Sequence, residues 1–154
     1  MRIHPIFSLS ALAAAAAVAA QSVPNEGQIR LTPSEIAALP ADHPGAGTSG
    51  LKAIRMTRLY GDPSATGAYT IALHVPPNTK IAAHTHKDVR TAIVVQGRWT
   101  FGYGSTASGP DVRTLEPGSF YSEPAGLPHF ARTGVEGATV YISGFGPSDT
   151  DYVE

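Results

Sequence analysis

Three histidines carry the strongest chemical signal in the chain. His84 and His86 are separated by one residue, and His129 follows in a later stretch. Side chains alternate along a strand with period two, so histidines at i and i+2 share one face. A third imidazole from a later strand can close a triangle, an arrangement suited to a metal ion. The chain has no cysteine, which excludes thiolate ligands, disulfides and a cysteine nucleophile. Any metal is therefore held by nitrogen and oxygen.

The spacing around the histidines is patterned. After His84-Thr85-His86 come three residues, then Arg90, then six residues and Gly97. The second stretch reads Gly118, five residues, then Pro124-Ala125-Gly126-Leu127-Pro128-His129. These stretches resemble the two motifs of the cupin superfamily, spanning residues 76–133. The first family motif has two histidines, a glutamate and a glycine; the second has Gly, Pro-x-Gly-x-x-His and an asparagine. His84, His86, Gly97, Gly118, Pro124, Gly126 and His129 match. Arg90 stands in the glutamate position and Thr133 in that of the asparagine. The resemblance implies an all-β, double-stranded β-helix (jelly-roll) barrel whose three histidines bind a metal. It does not define a reaction, because one barrel hosts many chemistries.

An arginine stays protonated and offers no lone pair, so Arg90 cannot be a ligand. Three neutral imidazoles would leave the full charge on a divalent ion, with open positions for a chelating substrate or dioxygen. Fe(II) is the favoured metal, with Mn, Zn, Ni and Cu also compatible. If Arg90 points inward, it sits beside the metal and can hold a substrate anion as a planar fork. If it points outward, it is a surface residue paired with Asp88 or Glu123. Either of those carboxylates could also replace the missing ligand, Glu123 being the better placed.

Trp99, Phe101 and Tyr103 fall on one strand face. They form barrel core or an apolar wall beside the metal, where the Tyr103 hydroxyl would be a polar tip. Phe120, Tyr121 and Phe130 flank the second motif with the same two readings. His74 reads as a satisfied or exposed histidine, and His43 lies in a Pro/Gly loop. No phosphate-binding glycine loop, Gly-x-Ser-x-Gly elbow or His-Glu-x-x-His helix is present.

The elements that must position these residues follow from periodicity and breakers. Residues 6–20 form an apolar, alanine-rich run after Met1-Arg2, ending in Val18-Ala19-Ala20. This reads as a signal peptide over 1–20 and predicts a periplasmic or secreted protein with no membrane contact after cleavage. Residues 21–50 form an arm with one short helix: Thr32 as N-cap, Pro33 at the first turn, Glu35 closing the box, and an end near Leu39. Residues 51–145 read as the barrel, with strands over 51–60, 68–75, 90–96, 98–103, 112–115, 119–123, 129–132 and 139–144. Residues 146–154 are a tail that wraps the outside.

With 154 residues, 42% hydrophobic content and a net charge of −1, the chain suits one domain and shows no basic face for nucleic acid. The predicted partner is a small molecule, and the resemblance implies a possible homodimer. Three functions remain open. One is a metal-dependent enzyme, dioxygenase-like or a lyase or isomerase, using Arg90 and a base such as Glu123 or Tyr103. The second is a non-catalytic barrel that binds metal or a small ligand. The third is a site that Arg90 has disabled.

Overall fold

The computed structural model describes residues 27–106 and 111–153. The predicted segment over residues 1–20 lies outside the described residues. One helix, α1 (Pro33–Ala38), carries the expected capping box between Thr32 and Glu35. Eight strands follow: β1 (Arg55–Tyr60), β2 (Gly67–Val75), β3 (Lys80–Thr85), β4 (Arg90–Tyr103), β5 (Arg113–Leu115), β6 (Phe120–Glu123), β7 (His129–Gly146) and β8 (Asp151–Tyr152). All pair antiparallel.

Two long strands build the barrel. The sequence predicts a break in each of them, at Gly97 and at residues 134–137, because glycine there looks like a turn. The chain instead bends and continues. Gly97 has φ +75°, and a Cβ on it would come within 2.2 Å of the Gly137 carbonyl oxygen, so the two bends nest against each other. The ladder slips at this point, between Val94 and Gln96 and between Gly97 and Trp99. Bulges of this kind raise local twist and turn a strand from one sheet into another.

The bend produces two layers. The first is β1, β2, the later part of β7, the earlier part of β4, and β6. The second is β8, β3, the earlier part of β7, the later part of β4, and β5. This is a jelly roll, as the motifs implied.

Strand β3 was absent from the expected strands. Its sequence, Lys-Ile-Ala-Ala-His-Thr, has one large apolar residue and two alanines, too little for period-two alternation to show. Pairing with β7 and β8 makes it a strand. Between the layers lies an apolar core of Ile54, Met56, Ile71, Leu73, Val94, Val140, Ile142 and their neighbours. Register partners Ile71 and Ile142, and Val94 and Val140, meet there. Each such side chain contributes roughly 1.5–3 kcal/mol on burial.

Candidate metal centre

The three histidines meet at one end of the barrel. In the second layer a single row crosses the sheet: Tyr103 opposite His129, His129 opposite His84, His84 opposite Tyr152. In the first layer the facing row is Glu123 opposite Arg90, with Gly144 on the other side of Arg90. His86 lies one residue past the end of β3 and is held by the second motif. The turn at residues 124–127 donates the Gly126 N–H to the His86 carbonyl at 2.7 Å. The two motifs, nearly forty residues apart, are therefore clamped together by a backbone bond.

One ligand atom from each of His84, His86 and His129 lies within 4.8 Å of the others. Each histidine donates its Nδ1–H to a backbone carbonyl: His84 to Ala82 at 2.8 Å, His86 to Asp149, and His129 to Leu127 at 3.2 Å. That fixes the tautomer and leaves Nε2 as the acceptor on all three. Ring orientation by a second hydrogen bond is the usual arrangement of metal-binding histidines. Burial, first of all, pushes the His84 and His86 pKa values down to about 4, and lowers that of His129 as well. At neutral pH all three are uncharged, which is the state a metal requires. His129 Nε2 is buried and without a hydrogen-bond partner among the described residues. An orphaned acceptor of this kind, aimed at two more imidazoles, fits a bound cation.

Arg90 faces the site. It is 3% exposed, and its Nε–H donates to Glu123 Oε2 at 2.5 Å. Nη1–H donates to the Gly47 carbonyl at 2.9 Å, and Nη2–H reaches both Glu123 and His86 Nε2, the latter at 2.6 Å. The predicted choice between inward and outward is thus settled by the ladder, which places Arg90 beside Glu123 in the barrel mouth. Burial alone would raise the Glu123 carboxyl, but the Arg90 guanidinium overrides it and holds the group below the usual carboxylate range. The pair is a buried ion pair with no net charge, but its Nη2–H occupies the His86 Nε2 lone pair, and a metal bound at that nitrogen would have to displace it. Glu123 Oε1 is 3.7 Å from His129 Nε2, and Oε2 is 3.9 Å from His86 Nε2.

The other expected site residues have different places. Asp88 accepts from the Tyr69 hydroxyl and the Ser148 hydroxyl, both at 2.7 Å, and pairs with neither Arg90 nor the histidines. The Tyr103 hydroxyl donates to the Ser122 carbonyl at 2.8 Å, and its ring is 43% exposed. Thr133 fills the asparagine position by bonding the chain at Pro76 and Thr79. His74 lies between Thr57 and Thr139, 3.3 Å from each hydroxyl. Trp99 and Phe101 are buried, and Phe101 stacks on His129 with centroids 5.5 Å apart.

The sequence reading missed the contribution of the chain on either side of the barrel. The tail is exposed at Pro147 and over residues 151–153, yet it also reaches inward to the histidines. Ser148 is buried, Asp149 holds His86, and Tyr152 donates its hydroxyl to the Ser49 carbonyl. Thr150 bonds the Thr48 carbonyl. The tail and residues 45–50 thus close the end of the barrel over the histidines. Only the density of Ser, Thr and Asp in 148–151 hinted at this.

The fold is similar to that of DMSP lyases in a solved structure, with a TM-score of 0.62 and 20% identity, covering 79% of this chain and 67% of that one. It is also similar to an RmlC-like cupin from Shewanella frigidimarina (TM-score 0.57, 10% identity, 79% of this chain and 94% of that one). A third likeness is a sugar phosphate isomerase of the cupin superfamily from Silicibacter pomeroyi (TM-score 0.53, 18% identity, 74% of each chain). The chain has the cupin fold. No protein-family model and no curated protein matches its sequence.

Proposed function

We propose that this protein is an exported metal-dependent enzyme acting on a small organic molecule. His84, His86 and His129 would hold the ion, and Fe(II) is the first candidate. The observation that carries this reading is the convergence of one ring nitrogen from each of three histidines, whose Nδ1 atoms are all tied to backbone carbonyls. A divalent ion bound there would supply Lewis acidity and open positions for substrate or dioxygen. Around it the chain provides a buried enclosure, neutral imidazoles and a single ionised carboxylate. Glu123 is the residue placed to take a proton from a bound molecule, with Arg90 holding its carboxylate in position. That placement favours a second reading, a lyase or isomerase, beside the dioxygenase-like one. Export rests on the composition of residues 1–20 alone.

Metal analysis of the anaerobically purified protein tests the centre. About one equivalent of a transition metal is expected, falling to background in His86→Ala and His129→Ala. Retention of full metal by both variants would overturn the assignment. Oxygen uptake with candidate substrates then separates the dioxygenase-like reaction from proton transfer by Glu123.

A further inference from the structure

Arg90 and a metal ion compete for one nitrogen. The Arg90 Nη2–H donates to His86 Nε2 at 2.6 Å, and His86 Nδ1 is tied to the Asp149 carbonyl. His86 therefore has one lone pair to offer, and Arg90 stands on it. A zinc-sized ion sits about 2.0–2.1 Å from an imidazole nitrogen, closer than the guanidinium. The two cannot share that lone pair, so an ion that uses His86 releases an Nη2–H.

The released donor stays in a buried place. Arg90 is 3% exposed, and its other groups are committed. Nε–H donates to Glu123 Oε2, Nη1–H to the Gly47 carbonyl, and Nη2 also reaches Glu123. The other imidazole nitrogens of the cluster, on His84 and His129, are taken by the same ion. A buried charged donor without an acceptor is costly, and native interiors seldom contain one.

Charge makes the same demand. Three neutral imidazoles bring no negative charge to a divalent ion. Apart from histidines, the buried charged side chains among the described residues are Asp88, Arg90 and Glu123. Glu123 is neutralised by Arg90, and Asp88 spends its two oxygens on the Tyr69 and Ser148 hydroxyls. The ion's charge is thus largely unbalanced by the chain, which is unfavourable at a buried position. One oxyanion answers both demands, with oxygen to the ion and to the arginine, whose planar fork suits a carboxylate. The histidines, Arg90 and Glu123 are at most 4% exposed, so the ligand has to be compact.

We propose that the loaded centre takes a small carboxylate, held jointly by the ion and by Arg90 Nη2, so that metal and anion bind cooperatively. This names the substrate class of the metal centre and rests on that reading. Arg90 is then the specificity-determining residue, and a neutral molecule of the same shape is refused.

The test is a titration of the full chain with Co(II), followed by visible absorption, at fixed ionic strength. It is run alone, with acetate, and with acetamide, the neutral molecule of the same shape. Acetate is expected to tighten cobalt about tenfold or more, as a hydrogen bond between charged groups does. Acetamide is expected to leave cobalt affinity unchanged. Acetate taken up by free cobalt would weaken the apparent affinity, so a tightening cannot come from solution. By reciprocity, cobalt should tighten acetate by the same factor in a calorimetric titration. Arg90→Met with Glu123→Leu replaces the ion pair by apolar groups, which buried pairs often tolerate. This variant should bind cobalt more tightly than the parent without acetate, and lose most of the acetate gain. If it does not fold, by circular dichroism, Arg90→Gln makes the same comparison without the charge. Cobalt binding of equal strength in all three titrations means that Glu123 alone takes the released donor, and it overturns the inference while the metal centre stands. An undiminished acetate gain in the folded variant assigns acetate to the ion alone and overturns the role of Arg90. No cobalt binding under any condition overturns the metal-centre reading and this inference with it.

Discussion

The waist of the barrel and its closed end are equally buried and chemically opposite. At the waist Ile71, Val94, Val140 and Ile142 are at most 2% exposed. Dispersion and the release of water hold them together, with no directional demand. At the end, His84, His86, Arg90, Glu123 and His129 are at most 4% exposed. Burial there opposes stability unless every charge and dipole is matched. The waist tolerates any residue of suitable volume. The end tolerates only a network in which Arg90 finds Glu123, His86 and Gly47 together. A protein gains nothing in stability from such a network over an apolar plug of the same shape, so its presence points to function.

The contrast can be broken at either region. The largest effect is expected from His86→Ala or His129→Ala, which should abolish metal binding while leaving the fold cooperative in a melting curve. Next comes Arg90→Ala, which strands the Glu123 carboxylate. Removing one partner of a buried pair costs about 3–5 kcal/mol, measurable by urea denaturation of the metal-free chain. Arg90→Ala together with Glu123→Ala should recover part of that loss, and a double-mutant cycle gives the coupling. At the waist, Ile142→Ala should cost about 2–5 kcal/mol by leaving a cavity. Its metal content should be unchanged, because it touches no ligand.

A pH titration of the metal-free chain sharpens the comparison further. His84 and His86 titrate near 4 in the folded state against an ordinary 6.5. Between those values the unfolded chain takes up protons that the folded chain does not. Stability is therefore full above about pH 6.5 and falls as the pH drops toward 4, by on the order of 1–3 kcal/mol for each histidine. A denaturation midpoint that is flat across this window would show that the two rings are not desolvated. The smallest effect belongs to the exposed pair of Arg98 and Glu116, 3.5 Å apart. Glu116→Ala should change stability by less than about 0.5 kcal/mol.

Much of the site was legible from local pattern. Gly97, Pro124 and Gly126 stand where the backbone bends or turns, and His84, His86 and His129 are marked by their ring chemistry, so both kinds of demand leave marks in the sequence. Gly126 illustrates this: with φ +69° it turns the chain so that its N–H meets His86. Other features had no local mark. Arg90 could not be oriented by counting from His86, because residues 87–89 are irregular and strand parity is lost across them. Strand β3 lacks an apolar alternation because both neighbours supply the pairing. The bends in β4 and β7 looked like chain reversals because glycine serves both turns and bulges.

What the sequence by itself determined was the identity of the three imidazoles, the absence of thiolates and the jelly-roll alternation of short strands and breakers. These depend on residue type and short-range spacing. Tertiary structure alone decided that Glu123 neutralises Arg90, that the tail reaches the site, and that Trp99 and Tyr121 lie buried together in the barrel. Each of these is a meeting of residues far apart in the chain. Register across a sheet, rather than spacing along a strand, sets which charge faces which, and no local pattern encodes it.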